Sequence, residues 1–248
     1  MRRIFTVMAA VAVSALFLSS CGNSVYDKGD RMPDVTDADI DTVSYVLGMY
    51  FASMVNTVDF GELNLSKMRE GFYDVLNDRE TRVENNNQVL MMYIQQYLFE
   101  RSTYLSDKAK EEGEKFLEEN KAKEGVVETE SGLQYMIVQE GSGISPEPND
   151  TVEINYRGTL VNGEEFDSSY ERGETAVLPL NRVIKGWTEG MQYVKEGGRI
   201  NLYIPYDLAY GQRGTGPIPG YSTLIFEVEL VKVRKFNPEA SKAAAERK

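Results

Sequence analysis

The residue types that most often carry out enzymatic chemistry are unevenly represented in this chain of 248 residues. Histidine is absent, which excludes Ser-His-Asp and Cys-His nucleophilic sites and every metal site that uses an imidazole. The single cysteine, Cys21, leaves no second thiol for an intramolecular disulfide or for catalysis by a thiol pair. Any chemistry must therefore use other side chains or the backbone.

The charge balance bears on the partners of the chain. Its net charge is −12, and beyond its first few residues it has no basic tract of the kind that neutralises phosphates. We therefore expect no nucleic-acid partner. A hydrophobic share of 42% and a charged share of 27% are ordinary for a folded protein.

The elements that could position a site change character near residue 126. Beyond it, apolar residues alternate with polar ones, as they do in half-buried strands. The stretches with strand character are 133–138, 152–160, 177–180, 199–205 and 223–233. One short helix, around 183–193, interrupts them, and an antiparallel sheet wrapped on a single helix is an α+β arrangement.

Five segments of this half resemble successive elements of the FKBP-type peptidyl-prolyl cis-trans isomerase domain. They are SGLQY (131–135), VEINYRGTLVNGEEFDSS (152–169), VIKGWTEGM (183–191), IPYDLAYG (204–211) and TLIFEVELV (223–231). They follow the order of the family, and a match to all five is far more specific than a match to one. The resemblance implies a peptidyl-prolyl isomerase that needs no metal and no cofactor.

The resemblance also implies a pocket, whose residues are carried over one position at a time. The implied catalytic residues are Tyr156, Phe166, Asp167, Tyr210 and Phe226. The implied substrate-binding residues are Arg172, Val183, Ile184, Trp187 and Ile218. Trp187 matches the indole at the pocket floor, and Arg172 matches the basic residue that holds Asp167. The hydroxyl of Tyr210 matches the one that faces the substrate carbonyl.

These residue types suit the reaction on physical grounds. Rotating an X-Pro bond means breaking amide resonance, with a barrier of about 18–20 kcal/mol, and no nucleophile is required. The twisted amide is less polar than the planar one, so an apolar, water-poor pocket favours it over the ground state. Tyr210 and the backbone N–H of Ile184 could hold the carbonyls on either side of the proline.

Each residue taken alone has a simpler interpretation. Trp187 and Tyr156 could be core residues, and Asp167 could belong to a plain turn. The joint pattern favours the pocket. Two features depart from the family: residues 176–178 stand where many relatives place a bulky aromatic, and the loop 212–220 is short. Both affect the expected sequence preference and the binding of macrolide-type inhibitors more than the reaction.

The part of the chain before residue 126 has helical periodicity. Thr36 and Asp37 are candidate caps of a first helix, and Ser66 is the candidate cap of a second. A third helical stretch runs from about residue 85 to 124. Because charged residues surround the second half of this stretch, we expect its first half to pack and its second half to project as a solvent-bridging spacer.

These helices make a thin core for a monomer, and pairing two copies would bury their apolar stripes. The motifs Ser44-Tyr45-Val46-Leu47-Gly48 and Gly71-Phe72 resemble the dimerisation domain of the macrophage infectivity potentiator (Mip) branch of FKBPs. The resemblance implies a homodimer through residues 37–105. A helical bundle closed on itself is the alternative.

The start of the chain predicts a targeting signal. Arg2 and Arg3 precede an apolar run, 4–18, that is shorter than the roughly 20 residues a membrane span needs. The following Leu18-Ser19-Ser20-Cys21-Gly22 resembles a bacterial lipobox, which implies cleavage before Cys21 and lipidation of its thiol. An incidental free cysteine is the alternative. Gly22 gives no inner-membrane retention signal, so we expect a lipid anchor in the outer membrane, facing the periplasm.

The predicted organisation is α+β in sum: an amino-terminal all-α dimerisation module with a long linking helix, then the FKBP-like sheet. The predicted segments are a signal peptide (1–20), a tether (21–36), the helical module (37–125), the isomerase domain (126–236) and a polar tail (237–248). The implied function is to assist folding of unfolded or nascent proline-containing envelope proteins. One alternative is a holdase chaperone that uses the helical dimer module, with the FKBP pocket for proline capture only. Another is a structural lipoprotein with an inactive FKBP scaffold.

Overall fold

The structure, a computed structural model, describes residues 34–238. The chain divides into two units, one ending at Asn85 and the other beginning at Asn86. The predicted signal peptide, Cys21, the tether up to residue 33 and the tail from residue 239 lie outside the described residues. Within the described range, no helix combines the length and the apolar character required to cross a bilayer.

The first unit contains α1 (Asp37–Thr57) and α2 (Leu65–Leu76). A capping box begins α1: the Asp39 N–H donates to the Thr36 hydroxyl, and the Thr36 N–H donates to the Asp39 carboxylate at 2.8 Å. The predicted cap at Thr36 is confirmed. The predicted cap at Ser66 is wrong, because the Asn64 side chain accepts from the Lys67 N–H at 3.1 Å and α2 begins one residue before Ser66.

The apolar residues of these two helices are largely uncovered in this chain. Neither α1 nor α2 contains a buried residue. The rings of Phe51 and Phe72 meet edge to face at 6.4 Å, yet both remain exposed. Exposed large apolar side chains of α1 include Val43, Tyr45, Val46, Leu47, Met49, Tyr50 and Met54.

The second unit begins with the long helix α3 (Asn87–Asn120) and continues into a sheet. Its strands are β1 (Val126–Glu128), β2 (Gln134–Gln139), β3 (Thr151–Leu160), β4 (Glu165–Ser168), β5 (Ala176–Pro179), β6 (Arg199–Ile204) and β7 (Leu224–Arg234). The short helices are α4 (Ser169–Arg172) and α5 (Lys185–Gly190). All strand pairs are antiparallel, in the order β1-β2-β6-β7-β3-β4, with β5 also paired to β3. The predicted α+β fold is confirmed.

Helix α5 lies close against the sheet because two glycines remove the side chains that would hold it away. A Cβ at Gly186 would lie 2.3 Å from Cγ2 of Ile204, and a Cβ at Gly190 would lie 2.5 Å from Cδ2 of Leu202. A contact below 3.0 Å requires a shift, so a larger residue at either position would move the helix or the side chain that it meets. The close approach places Trp187, between the two glycines, over the core face of the sheet.

The carboxyl-terminal half of α3 packs on the sheet, so the prediction that it projects as a spacer is wrong. The Phe116 ring lies 5.8 Å from the Tyr203 ring, and Gly113 and Asn120 are buried. The charged residues lie on either side of a narrow stripe that contains Gly113, Phe116 and Asn120. This stripe is sufficient to pack one face of the helix on the sheet. In the half predicted to pack, Met91 and Ile94 are exposed in the described chain.

A buried carboxylate ties the end of the described chain to the turn before β3. Asp150 is 2% exposed; it accepts from the Glu147 N–H at 2.7 Å and from the Phe236 N–H at 2.8 Å. The Lys235 ammonium lies 2.9 Å from it. Burial alone would raise the pKa of Asp150, but the two backbone hydrogen bonds and Lys235 together lower it below its ordinary value.

Replacing Asp150 by asparagine is expected to destabilise the protein at pH 7 by about 2 kcal/mol, because a hydrogen-bonded buried charge is lost. The pKa of Asp150 is lower folded than unfolded, so its contribution is complete above an unfolded pKa of about 3.9 and is lost as pH falls through the folded pKa. Urea unfolding of both proteins from pH 7 to pH 3 should give a difference in unfolding free energy that begins to narrow as pH falls below about 4. Glu147→Gln, which removes an exposed carboxylate 3.0 Å from the same lysine, should have little effect. Equal stabilities of wild type and Asp150→Asn at pH 7 would contradict this account.

Candidate active site

A cleft of about 640 Å³ opens on the core side of the sheet, between α5 and the loop that precedes β7. The ten predicted pocket residues come together here: every one except Arg172 lines the cleft, and Arg172 contacts two residues that do. Lining residues that sequence reasoning did not assign to the pocket are Leu178, Arg182, Thr215, Gly216 and Pro217.

Five aromatic residues line the cleft, and the rings of four of them are in mutual contact. The Trp187 indole meets the rings of Tyr156 and Phe226 edge to face, at 5.4 and 5.0 Å between centroids. Phe226 in turn meets Phe166 edge to face at 5.6 Å. Edge-to-face contacts hold aromatic rings in fixed mutual orientations. Because these contacts run from one wall to the other, the apolar surface is already formed in the absence of a ligand.

Gly158 makes room for two of these rings, and sequence reasoning missed it. It lies on β3 opposite Asp167 of β4 on one side and Phe226 of β7 on the other. A Cβ at this position would lie 2.8 Å from atoms of both the Phe166 and the Phe226 ring. A glycine inside a strand usually marks a bulge or a close approach, and that signal was present in the sequence.

A polar cluster lies at the edge of the aromatic wall. The Tyr156 hydroxyl donates to one oxygen of Asp167, and the Arg172 guanidinium donates to the other. Arg172 also donates to the Tyr156 hydroxyl at 3.0 Å, and its guanidinium lies over the Tyr156 ring, 5.5 Å from the centroid. Arg172 was predicted to hold Asp167, and the structure shows the hydrogen bond between them. The cluster fixes the orientation of the Tyr156 ring.

The electrostatics of the cluster follow from these contacts. Burial raises the pKa of the Tyr156 hydroxyl, and the hydrogen bond to Asp167 raises it further. Burial would raise the pKa of Asp167 too, but the hydrogen bonds from Tyr156 and Arg172, with the charge of Arg172, lower it overall. At neutral pH the tyrosine is therefore protonated and the aspartate ionised.

The Tyr210 hydroxyl and the Ile184 backbone N–H are two donors at the cleft that have no acceptor within residues 34–238. The Tyr210 hydroxyl, on the loop after β6, makes no hydrogen bond there, and burial followed by the charge of Asp167 raises its pKa. The backbone N–H of Ile184, just before α5, likewise donates to no group of the described chain. The N–H groups at the amino terminus of a helix have no acceptor within the helix. Both residues line the cleft, so the two donors are available to a ligand there.

The overhanging loop is held in a tight turn that places Ile218 at the cleft. Thr215 and Ile218 exchange two backbone hydrogen bonds of 2.9 Å. Gly214 has a φ of +67°, and a Cβ there would lie 2.1 Å from the Ile218 carbonyl oxygen. Ile218 is 6% exposed. The short loop therefore closes one side of the cleft.

Two family models match this chain. The model described as FKBP-type peptidyl-prolyl cis-trans isomerase matches residues 142–231, and the model described as the domain amino terminal to it matches residues 40–137. The outer membrane protein MIP of Legionella longbeachae is 35% identical over 203 residues, which cover 79% of this chain and 87% of that protein. The chain belongs to the FKBP-type peptidyl-prolyl isomerase family.

Other FKBP relatives match a shorter part of the chain. The isomerase FkpA of Aeromonas hydrophila is 49% identical over 50% of this chain and 46% of its own length, and FkpA of Escherichia coli is 47% identical over 56% and 52%. The matched part of the chain thus spans about half the length of these curated relatives. The crystal structure of FkpA from Escherichia coli aligns with a TM-score of 0.60 at 32% identity, over 80% of this chain and 97% of that chain. The FKBP resemblance and the fold it implied are both confirmed.

Proposed function

We propose that this FKBP chain is a peptidyl-prolyl cis-trans isomerase that binds the twisted X-Pro amide in the aromatic cleft. The observation that carries the proposal is the combination of four rings in fixed contact with two unused donors, at Tyr210 and Ile184, on one open cleft. The reaction must overcome amide resonance of about 18–20 kcal/mol, and it requires no covalent step.

The rings provide the differential binding. A proline side chain seated on Trp187 removes water from the X-Pro amide, and the rotated amide loses less solvation than the planar one. The Ile184 N–H donates to one substrate carbonyl and the Tyr210 hydroxyl donates to another. The X-Pro bond then rotates while these two carbonyls are held in place. Asp167 acts through Tyr156, whose ring it orients.

The proposed setting is the bacterial envelope. The apolar run 4–18 followed by Leu18-Ser19-Ser20-Cys21 supports a lipid anchor at Cys21, and the name of the Legionella longbeachae relative assigns that protein to the outer membrane. Uncatalysed prolyl isomerisation takes tens to hundreds of seconds, which makes a catalyst useful to folding envelope proteins. Mass spectrometry of the protein from membranes should find an acylated Cys21 at the amino terminus; an unmodified cysteine would contradict the anchor.

The proposed partner of residues 37–105 is a second copy of the chain. The support is the exposed apolar surface of α1 and of the first half of α3, where Tyr50 is 68% and Phe99 73% exposed. Light scattering of the full chain should give the mass of a dimer. A monomer would contradict this partner.

Tyr210→Phe gives the most specific test of the proposed isomerase site. Removing one hydroxyl that contacts only the substrate is expected to lower kcat/KM for a Leu-Pro peptide about fivefold, equivalent to about 1 kcal/mol. Exchange NMR of the peptide with the full chain measures this rate, and the melting temperature should stay constant. Tyr206→Phe, on the same loop but outside the cleft, is the matched control and should leave the rate unchanged. The absence of any acceleration by the wild-type chain would overturn the proposed function.

A further inference from the structure

Within residues 34–238, two charged residues line the cleft, and only one of them is neutralised. They are Asp167 and Arg182. Tyr156 and Arg172 each donate a hydrogen bond to one carboxylate oxygen of Asp167. The positive charge of Arg172 neutralises the negative charge of the aspartate. Arg182 is exposed and makes no ion pair or side-chain hydrogen bond within residues 34–238. The cleft therefore carries one uncompensated positive charge.

The positive charge at the cleft is opposite in sign to the net charge of the whole chain, which is −12. Arg182 ends the short turn Leu180–Arg182 that leads directly to Val183, Ile184 and α5. The preceding side chain, Asn181, is neutral and donates to Asn149 at 3.4 Å. The segment 181–185 contains no acid, so nothing in it competes with a ligand for the guanidinium.

Arginine in this state is a ready donor to carboxylates. A guanidinium offers paired N–H groups that match the two oxygens of a carboxylate. Arg182 lies two residues before the Ile184 N–H, which is proposed to hold a substrate carbonyl. A peptide bound through that N–H passes within reach of a side chain as long as arginine.

We propose that Arg182 makes the isomerase selective for X-Pro segments that carry an aspartate or glutamate beside the proline. The proposal rests on the proposed isomerase function and adds the chemical class of its preferred substrate. Because the guanidinium is exposed, attraction to an acid and repulsion of a base each change the rate about threefold, which gives a Glu-over-Lys ratio of about tenfold.

The test uses the full chain and two series of tetrapeptides. One series, Ala-Xaa-Pro-Phe, places glutamate, glutamine or lysine before the proline, and the other, Ala-Leu-Pro-Xaa, places them after it. In at least one series, kcat/KM at low ionic strength should be about tenfold higher for Glu than for Lys. The ratio should fall towards unity with Arg182→Ala, invert with Arg182→Glu and shrink in 0.5 M salt, where the Debye length is only about 4 Å.

Lys185→Ala is the matched control, because Lys185 is an exposed cation three residues away that does not line the cleft. This variant should keep the wild-type ratio. A wild-type Glu-over-Lys ratio near unity in both series, or a ratio that Arg182→Ala leaves unchanged, would overturn the role of Arg182. Failure of the wild type to accelerate even the glutamine peptides would instead overturn the proposed isomerase function.

Discussion

Replacing Gly158 by valine is expected to lower kcat/KM for X-Pro peptides by about a hundredfold or more. The first added carbon would lie 2.8 Å from the rings of Phe166 and Phe226, and two further methyl groups would force both rings from their places. The wall of the cleft would then be misplaced by an amount that catalysis does not tolerate. Exchange NMR on the full chain measures the activity, and overpacking of this kind should also cost about 1–3 kcal/mol of stability.

Two further variants make the Gly158 result interpretable. Gly158→Ala, which adds only the Cβ, should fold and lose less activity than the valine variant, so a graded loss separates ring displacement from unfolding. Thr159→Val changes the next residue of β3, whose side chain points to the opposite face of the sheet, and it should stay active. Full activity of a folded Gly158→Val protein would contradict the role assigned to the ring contacts.

Asp167→Asn is expected to lower kcat/KM about thirtyfold, equivalent to about 2 kcal/mol. The carboxylate accepts hydrogen bonds from Tyr156 and from Arg172, and an amide cannot accept both with its two terminal atoms. The Tyr156 ring would lose its fixed orientation, and Arg172 would lose its counter-charge. Glu164→Gln, the same change at an exposed acid of the β3–β4 turn, should leave kcat/KM unaffected. A folded Asp167→Asn protein with wild-type activity would contradict the role of the cluster.

The pH dependence of activity gives a second measure of the same cluster. Asp167 has a pKa below its ordinary value of about 3.9, while the pKa values of Tyr156 and Tyr210 lie above the ordinary value of about 10. With no histidine in the chain, kcat/KM should be flat between about pH 5 and pH 9. A rise or fall of kcat/KM with a midpoint near pH 6 or 7 would mean that some other group controls the reaction.

The sheet could be predicted because its strands are long and one of their faces is buried. On β3 the residues Val152, Ile154 and Tyr156 alternate with more exposed ones, so the period of two is visible in the sequence. The strands β1 and β4 were not predicted, since three and four residues are too few to show a period. The pocket residues were predictable only through the joint family pattern, because Trp187 and Phe226 are as buried as ordinary core residues.

The helix α3 shows what periodicity cannot supply. Its charged second half has the composition of a solvated spacer, yet Gly113 fits against Thr223 and Asn120 donates to Gln134 at 3.0 Å. Charge counts describe the exposed faces of a helix, whereas packing depends on a few small or apolar residues on the remaining face. Which surface that face meets is decided by residues far along the chain, and a local pattern does not contain them.

The central claim is that the proline of a substrate enters the cleft beside Trp187. This residue is the only tryptophan in the chain, so the intrinsic tryptophan fluorescence reports on this site alone. The most direct measurement is a titration of the full chain with Ala-Leu-Pro-Phe and, separately, with Ala-Leu-Ala-Phe, followed by that emission. The proline peptide should give a saturable change and the alanine peptide should not. No change with the proline peptide, or an equal change with both, would contradict the claim.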